Sequence, residues 1–351
     1  MRVLVTGDRG YIGSVMASLL LEDGHDVVGL DTDYYAGCDF GQTASAVSSR
    51  RLDIRDVTPE HLVGFDTVIH YAALSNDPLG ALNDQWTYEL NRDGTLALAR
   101  AAREAGVGRF VFASSCSMYG ASGTDDLLDE ESPLRPLTPY AESKVRAEEG
   151  LWSLDDGHFV PVSMRNATVY GVSPRLRLDI VLNNLAAWAH TTGRIRLMSD
   201  GSAWRPLVHV RDVARAASAI LAAPAELVRC QALNVGSAAQ NYRIHELARL
   251  VSNASGCEIE VTGGASADPR SYRVEFSKLE RMFPALALEW DAARGVDELL
   301  AAYRDVGLTM EMFEGRKYVR VNQLKHLIAE NAVGHDLRWT PAKPVDAVPG
   351  D

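Results

Sequence analysis

Cysteine is scarce in this chain. The four present, Cys38, Cys116, Cys230 and Cys257, fall at no paired spacing, which argues against a disulfide framework and against a zinc cluster, so no metal is expected. A reducing cytoplasm is the expected location. No apolar run approaches the ~20 residues of a membrane span, and the strand-like Arg2–Thr6 leaves no room for a secretory leader, so neither membrane nor export is expected. Basic residues are outnumbered, 35 Lys and Arg against 47 Asp and Glu. The resulting net charge of -12 repels a phosphate backbone over the surface as a whole and disfavours nucleic acid as a partner. Any phosphate that binds must be met by a local basic site. Internal repeats and low-complexity segments are also lacking.

What is present is the pattern of a globular α/β protein, with 46% hydrophobic and 23% charged residues over a length sufficient for two domains. Short apolar strands alternate with amphipathic helical stretches through the first half, which calls for a parallel sheet covered on both faces. Strands are expected at Val3–Thr6, Val27–Asp31, Arg51–Asp53, Thr67–Tyr71, Arg109–Ser114 and Pro161–Arg165, with helices within Trp86–Ala105 and over Pro139–Trp152. The fold class is a doubly wound parallel Rossmann sheet over residues 1–171, followed by a smaller mixed domain over 172–339 and a loose tail from 340 to 351. Leu176–His190 reads as a helix, and Val208–Val210 and Ala232–Val235 are candidates to return to the main sheet.

The run Thr6-Gly7-Asp8-Arg9-Gly10-Tyr11-Ile12-Gly13 lies between the first strand and a helical stretch. Glycines at 7, 10 and 13 permit a tight turn, close approach of backbone to a pyrophosphate, and close packing of helix on strand, with the phosphates at the helix N-terminus. The second strand ends at Asp31, whose carboxylate suits the hydroxyls of an adenosine ribose and repels a 2'-phosphate. NAD is therefore favoured over NADP, with Arg9 the one residue that competes with that choice. Asp53, at the end of the third strand beside Ile54, is placed to accept from the adenine amine.

Tyr140 and Lys144 stand four apart, side by side on one face of a helix. Thr138 and Pro139 read as an N-cap and a first helical residue, which puts Tyr140 in the first turn. The neighbouring cation and the helix terminus both favour phenolate, so the tyrosine can take a proton from a sugar or alcohol hydroxyl while a nicotinamide takes the hydride.

Taken together, these residues resemble the extended short-chain dehydrogenase/reductase family, in its nucleotide-sugar epimerase and dehydratase group. The ordered set that carries the resemblance is Gly7-x-x-Gly10-x-x-Gly13, Asp53 in Asp-Ile-Arg-Asp, His70-Tyr-Ala-Ala73, Asn91-x-x-Gly94-Thr95, Ser114 to Gly120, Tyr140-x-x-x-Lys144, and Arg165 before Tyr170-Gly171. By the resemblance Tyr140 is the general base or acid, Lys144 holds the nicotinamide ribose, Ser115 hydrogen-bonds the reacting oxygen, and Ala72, Ala73 and Asn91 line the cofactor channel. Ser117 is the fourth candidate catalytic residue.

The family's 4,6-dehydratases carry Asp-Glu where this chain has Cys116-Ser117, its decarboxylases place a glutamate at the Ser117 position, and reductase-epimerases place a cysteine there. A serine hydroxyl cannot substitute for a carboxylate as proton donor near neutral pH, which leaves 4-epimerisation, or keto reduction as the alternative. A non-catalytic dinucleotide sensor is the third reading, disfavoured by the intact Tyr-Lys pair. Cys116 is read as a small buried hydrophobe.

For the substrate, a nucleotide sugar, the resemblance implies Arg205 as phosphate ligand, Asp268 at the ribose, and Arg270 or Arg273 in place of an arginine replaced by Ala265. Thr168 stands where an asparagine is usual, its role passing to Asn166 or Asn183. The resemblance also implies a homodimer formed through the helices around Trp86–Ala105 and Pro139–Trp152. The stretch from Gly315 to Trp339 runs past the usual family end.

Overall fold

The computed structural model describes residues 1–41, 47–75, 77–80, 82–121, 127–263 and 270–340. Seven parallel strands form the main sheet, in the order Ala232–Val235, Val160–Asn166, Arg109–Ser115, Thr67–His70, Arg2–Thr6, Asp26–Asp31, Ser48–Arg51. The central strands are nearly continuous apolar runs because helices cover both faces, whereas the edge strand Ser48–Arg51 is polar and largely exposed. Val3, Leu4 and Val5 are fully buried, and the helix Tyr11–Glu22 sends Met16, Ala17 and Leu20 into the same core. Chain order reverses between Arg2–Thr6 and Thr67–His70, and a crevice opens beyond their carboxyl ends, the general ligand position in sheets of this kind.

Ala232–Val235 returns to the main sheet as expected, pairing with Val160–Asn166. Val208 does not. It lies in Trp204–His209, between Thr168–Tyr170 and Asn241–Arg243 in a separate three-stranded sheet. The chain leaves the main sheet at Ala167, so Thr168–Tyr170 carries its partner strand out over the crevice. The third strand is Ser48–Arg51, and Asp53 instead caps a short 3-10 turn by accepting from the Arg55 amide.

The helix expected within Trp86–Ala105 is in three pieces: Asp84–Thr87, a π-helical stretch Tyr88–Gly94, and Thr95–Glu104. A wide π turn is a frequent companion of a functional position, and here it carries the buried Asn91. The helix expected from Leu176 begins at Val181. Arg177 grips Asp179 with two parallel bonds of 2.9 Å, which holds the intervening segment outside the helix. The tail beyond Thr340 and the residues Ala265 and Asp268 lie outside the described residues.

Candidate active site

Gly7 has φ +74°, and a Cβ there would stand 2.7 Å from the Ala72 amide nitrogen; one on Gly13 would stand 2.0 Å from the Gly7 carbonyl oxygen. Only glycine lets strand end, turn and helix approach this closely. The helix then starts at Tyr11 with Gly10 as its N-cap, and its first N–H groups have no intrahelical acceptor.

Around this turn is a cleft of about 900 Å³ lined by Gly7, Gly10, Tyr11, Ile12, Gly13, Asp31, Asp53, Ile54, Ala72 and Ala73. Asp31 accepts from the Asp33 amide at 2.7 Å and the Arg9 amide at 3.2 Å, and its pKa is raised, chiefly by burial. Arg9 forms an ion pair with Asp33 at 2.5 Å. The carboxylate of Asp53 is taken up by Arg55, at 3.0 Å from Nε and 2.6 Å from Nη2.

Asn91 is a correction. It does not line the cleft: its amide accepts from the Leu74 N–H at 2.8 Å and donates to the Leu74 carbonyl at 3.0 Å, bracing the loop that carries Ala72 and Ala73.

A second space of about 1900 Å³ holds Ser115, Ser117, Tyr140, Lys144, Thr168, Arg205 and Arg270. It shares Tyr11, Ile12, Tyr71, Ala73, Ser75 and Arg177 with the first, so the two adjoin. Thr138 caps the helix Pro139–Trp152 by accepting from the Ala141 amide, and Tyr140 is in its first turn, as expected. Lys144 is buried one turn on. Its Nζ donates to the Ala113 carbonyl at 2.7 Å, lies 4.6 Å from the Phe112 ring centre and 5.8 Å from that of Tyr140. Burial pulls its pKa down to about 7. Ser115 ends its strand, accepts from the Ser117 amide at 3.1 Å and donates to the Ser117 hydroxyl at 2.9 Å. Cys116 is buried, bonded through Sγ to the Arg165 carbonyl, and burial pushes its thiol pKa up, which makes it the small hydrophobe expected.

Arg205 donates to the Trp204 carbonyl at 2.7 Å and to the Arg270 carbonyl. Arg273 stacks on Trp204 and does not line the space. Asn183 is the second correction. It is fully buried, accepting from the Gly171 amide at 3.1 Å and donating to the Arg177 carbonyl at 2.9 Å, so its amide has no face left for substrate. Asn166 does line the space, and its Oδ1 is buried with no hydrogen-bond partner.

Sequence reasoning missed Arg177, Ser75 and Arg320. The signal for Arg177 was Pro174 and Asp179 flanking it, which mark a loop before the helix.

Asp8, in the glycine turn, is buried against Gly29 and accepts from Ser49 at 3.0 Å. Burial, helped by the nearby Asp31, raises its pKa from 3.8 to about 6, against the Ser49 bond. The fold therefore holds this proton more tightly than the unfolded chain, and stability is lost as pH rises from about 4 through about 6. Asp8→Asn in cofactor-free protein is expected to raise the thermal midpoint by a few degrees above pH 6 and by little at pH 4. Melting curves at both pH values check this.

A glycine turn too tight for side chains, a ribose-directed carboxylate and a Tyr-Lys pair in an adjoining space define a dinucleotide-dependent enzyme, and these residues fit NAD. The family description "NAD dependent epimerase/dehydratase family" matches residues 3–236, and the chain belongs to that family. It is similar to the UDP-glucose 4-epimerase of Mycolicibacterium smegmatis, 30% identical over 318 residues, 85% of this chain and 98% of the relative. It is also similar to the dTDP-D-glucose 4,6-dehydratase of Bos taurus, 34% identical over 211 residues, 55% of this chain and 59% of the relative. Among solved structures, the Thermus thermophilus UDP-glucose 4-epimerase in complex with NAD superimposes with TM-score 0.73 at 27% identity, covering 87% of this chain and 99% of that one.

Proposed function

We propose that this chain is a nucleotide-sugar 4-epimerase that works through a transient 4-keto sugar and retains its NAD. The observation that carries the reading is the chemistry around Tyr140. Among the described residues lining the larger space the one carboxylate is Asp179, and both its oxygens are held by Arg177. Loss of water across a C–C bond needs an acid and a base beyond the tyrosine, and Cys116 and Ser117 supply neither.

Bound NAD supplies a hydride acceptor that gives the hydride back. The remaining work belongs to side chains. Tyr140 takes the proton of the sugar C4 hydroxyl and returns it, and Ser115, with Ser117 behind it, hydrogen-bonds the reacting oxygen. Lys144 in its protonated form favours the phenolate electrostatically; its charge is present below about pH 7 and lost above, so its proton is close to balance at neutrality. Arg205 and Arg270 supply the local positive charge that a nucleoside diphosphate needs on an acidic protein.

The test is turnover of a nucleotide-sugar panel without added cofactor. Inversion at C4 with no net redox change supports the reading; stoichiometric oxidation of added NAD(P)H would establish the ketoreductase instead.

A further inference from the structure

Residues 319–340 form the helix Arg320–Ala329 and a returning turn that brings Val333 beside Trp339. They roof one end of the dinucleotide cleft. Leu324, Leu327, Val333 and Leu337 pack with Tyr34, Leu74, Leu79 and Leu90 in one apolar cluster. Polar contacts pin the same seam: Trp339 Nε1 donates to the Thr32 carbonyl at 2.7 Å, Gln323 Nε2 to the Tyr34 carbonyl at 3.2 Å, and Arg55 to the Asp336 carbonyl at 2.8 Å. Thr32, Tyr34, Leu74 and Leu90 themselves line the cleft. The segment is thus attached to the walls that would surround the adenosine half of a dinucleotide.

One side chain of this segment is not explained by the attachment. Arg320 is 2% exposed and lines the same cleft as the glycine turn. Its Nη2 donates to the Arg175 carbonyl at 2.8 Å and its guanidinium lies 4.0 Å from the centre of the Tyr35 ring. Its Nη1 is buried with no hydrogen-bond partner. A buried guanidinium donor left unpaired is costly, so its neighbourhood calls for an acceptor. The nearby Arg177 does not relieve it; that guanidinium is committed to Asp179 and, at 3.0 Å, to the Ser75 hydroxyl, and its charge opposes that of Arg320. Asp179 matches the charge of Arg177 and also acts on Arg320, but both its oxygens are held by Arg177, so the acceptor that Arg320 Nη1 lacks must come from an anion within the cleft. The only anionic part of NAD is its diphosphate, and Asp31 disfavours the extra phosphate of NADP.

We propose that Arg320 is a diphosphate ligand for the bound dinucleotide, donating Nη1 to a phosphate oxygen opposite the glycine turn, and that residues 319–340 thereby hold the dinucleotide as a resident group. The inference rests on the reading of this cleft as the NAD site. It explains why a chain that must keep the same NAD through both half-reactions carries a buried arginine on a segment past the usual family end.

The test is the affinity of cofactor-free protein for ADP-ribose, together with the NAD retained per chain after desalting, for wild type and Arg320→Gln. Glutamine keeps a donor for the Arg175 carbonyl but loses the charge. The expected result is at least about a tenfold rise in Kd, about 1.4 kcal/mol, with most NAD lost on desalting and the cofactor-free melting temperature little changed. Arg320→Lys, which restores charge, should recover part of the loss. A Kd within twofold of wild type in the glutamine variant would overturn the assignment of Arg320 and leave the cleft's reading intact. Failure of wild type itself to bind ADP-ribose would overturn both. Should the glutamine variant not fold, amide exchange of wild type decides: ADP-ribose must slow exchange over residues 319–327, and unchanged exchange there counts against the proposal.

Discussion

Tyr140→Phe is expected to lower kcat by about two orders of magnitude or more while leaving nucleotide-sugar and NAD affinity within a few fold of wild type. The substitution removes one oxygen at the end of a side chain held by a capped helix, so fold and cleft walls persist. What disappears is the group that accepts and returns the C4 hydroxyl proton. Steady-state kinetics with a nucleotide sugar, alongside binding measured directly, separates the two effects. A variant that turns over at near the wild-type rate would remove Tyr140 from the chemistry.

Lys144→Met is expected to lose activity on a similar scale while keeping or gaining stability near and below neutral pH. In the folded cofactor-free chain burial holds this amine at a pKa of about 7 against the ordinary 10.5. The unfolded chain binds the proton over that whole interval and the folded chain does not, so stability from this group rises with pH between about 7 and 10.5 and its penalty is full below 7. Methionine removes the penalty and keeps the packing against Phe112. The variant's melting temperature should therefore match or exceed that of wild type at pH 6, the difference shrinking as pH rises toward 10. A lysine placed only for structure would give the reverse: a variant less stable and fully active. Thermal melts across that pH range and single-point assays distinguish the two.

Much of this architecture was legible because its elements obey local rules. The apolar run Val3–Val5 within the first strand, the glycines at 7, 10 and 13, Asp31 at a strand end and the Thr138-Pro139 cap each specify a backbone geometry that needs no distant partner. The errors arose where tertiary partners, and not local pattern, decide. Val208 reads as a core strand residue, but its sheet is chosen by the exit at Ala167 and the pairing with Thr168–Tyr170. Asn91 and Asn183 read as site amides; each is instead consumed by backbone, at Leu74 and at Gly171 and Arg177. Arg320 lies at the opposite end of the chain from Gly13, and nothing in its local pattern announces that it borders the same cleft. Its position depends on tertiary packing of the segment against Tyr34 and Leu90.

In the proposed reaction Tyr140 and the retained dinucleotide invert C4 without net oxidation. The measurement that tests it most directly is incubation of the purified enzyme, with no added cofactor, with a nucleotide hexose deuterated at C4, followed by NMR of the products. The expected result is a C4-inverted product that keeps its deuterium at C4, with the enzyme's dinucleotide still oxidised NAD when turnover stops. Accumulation of a 4-keto or dehydrated sugar, or inversion with the deuterium lost to solvent, would contradict it.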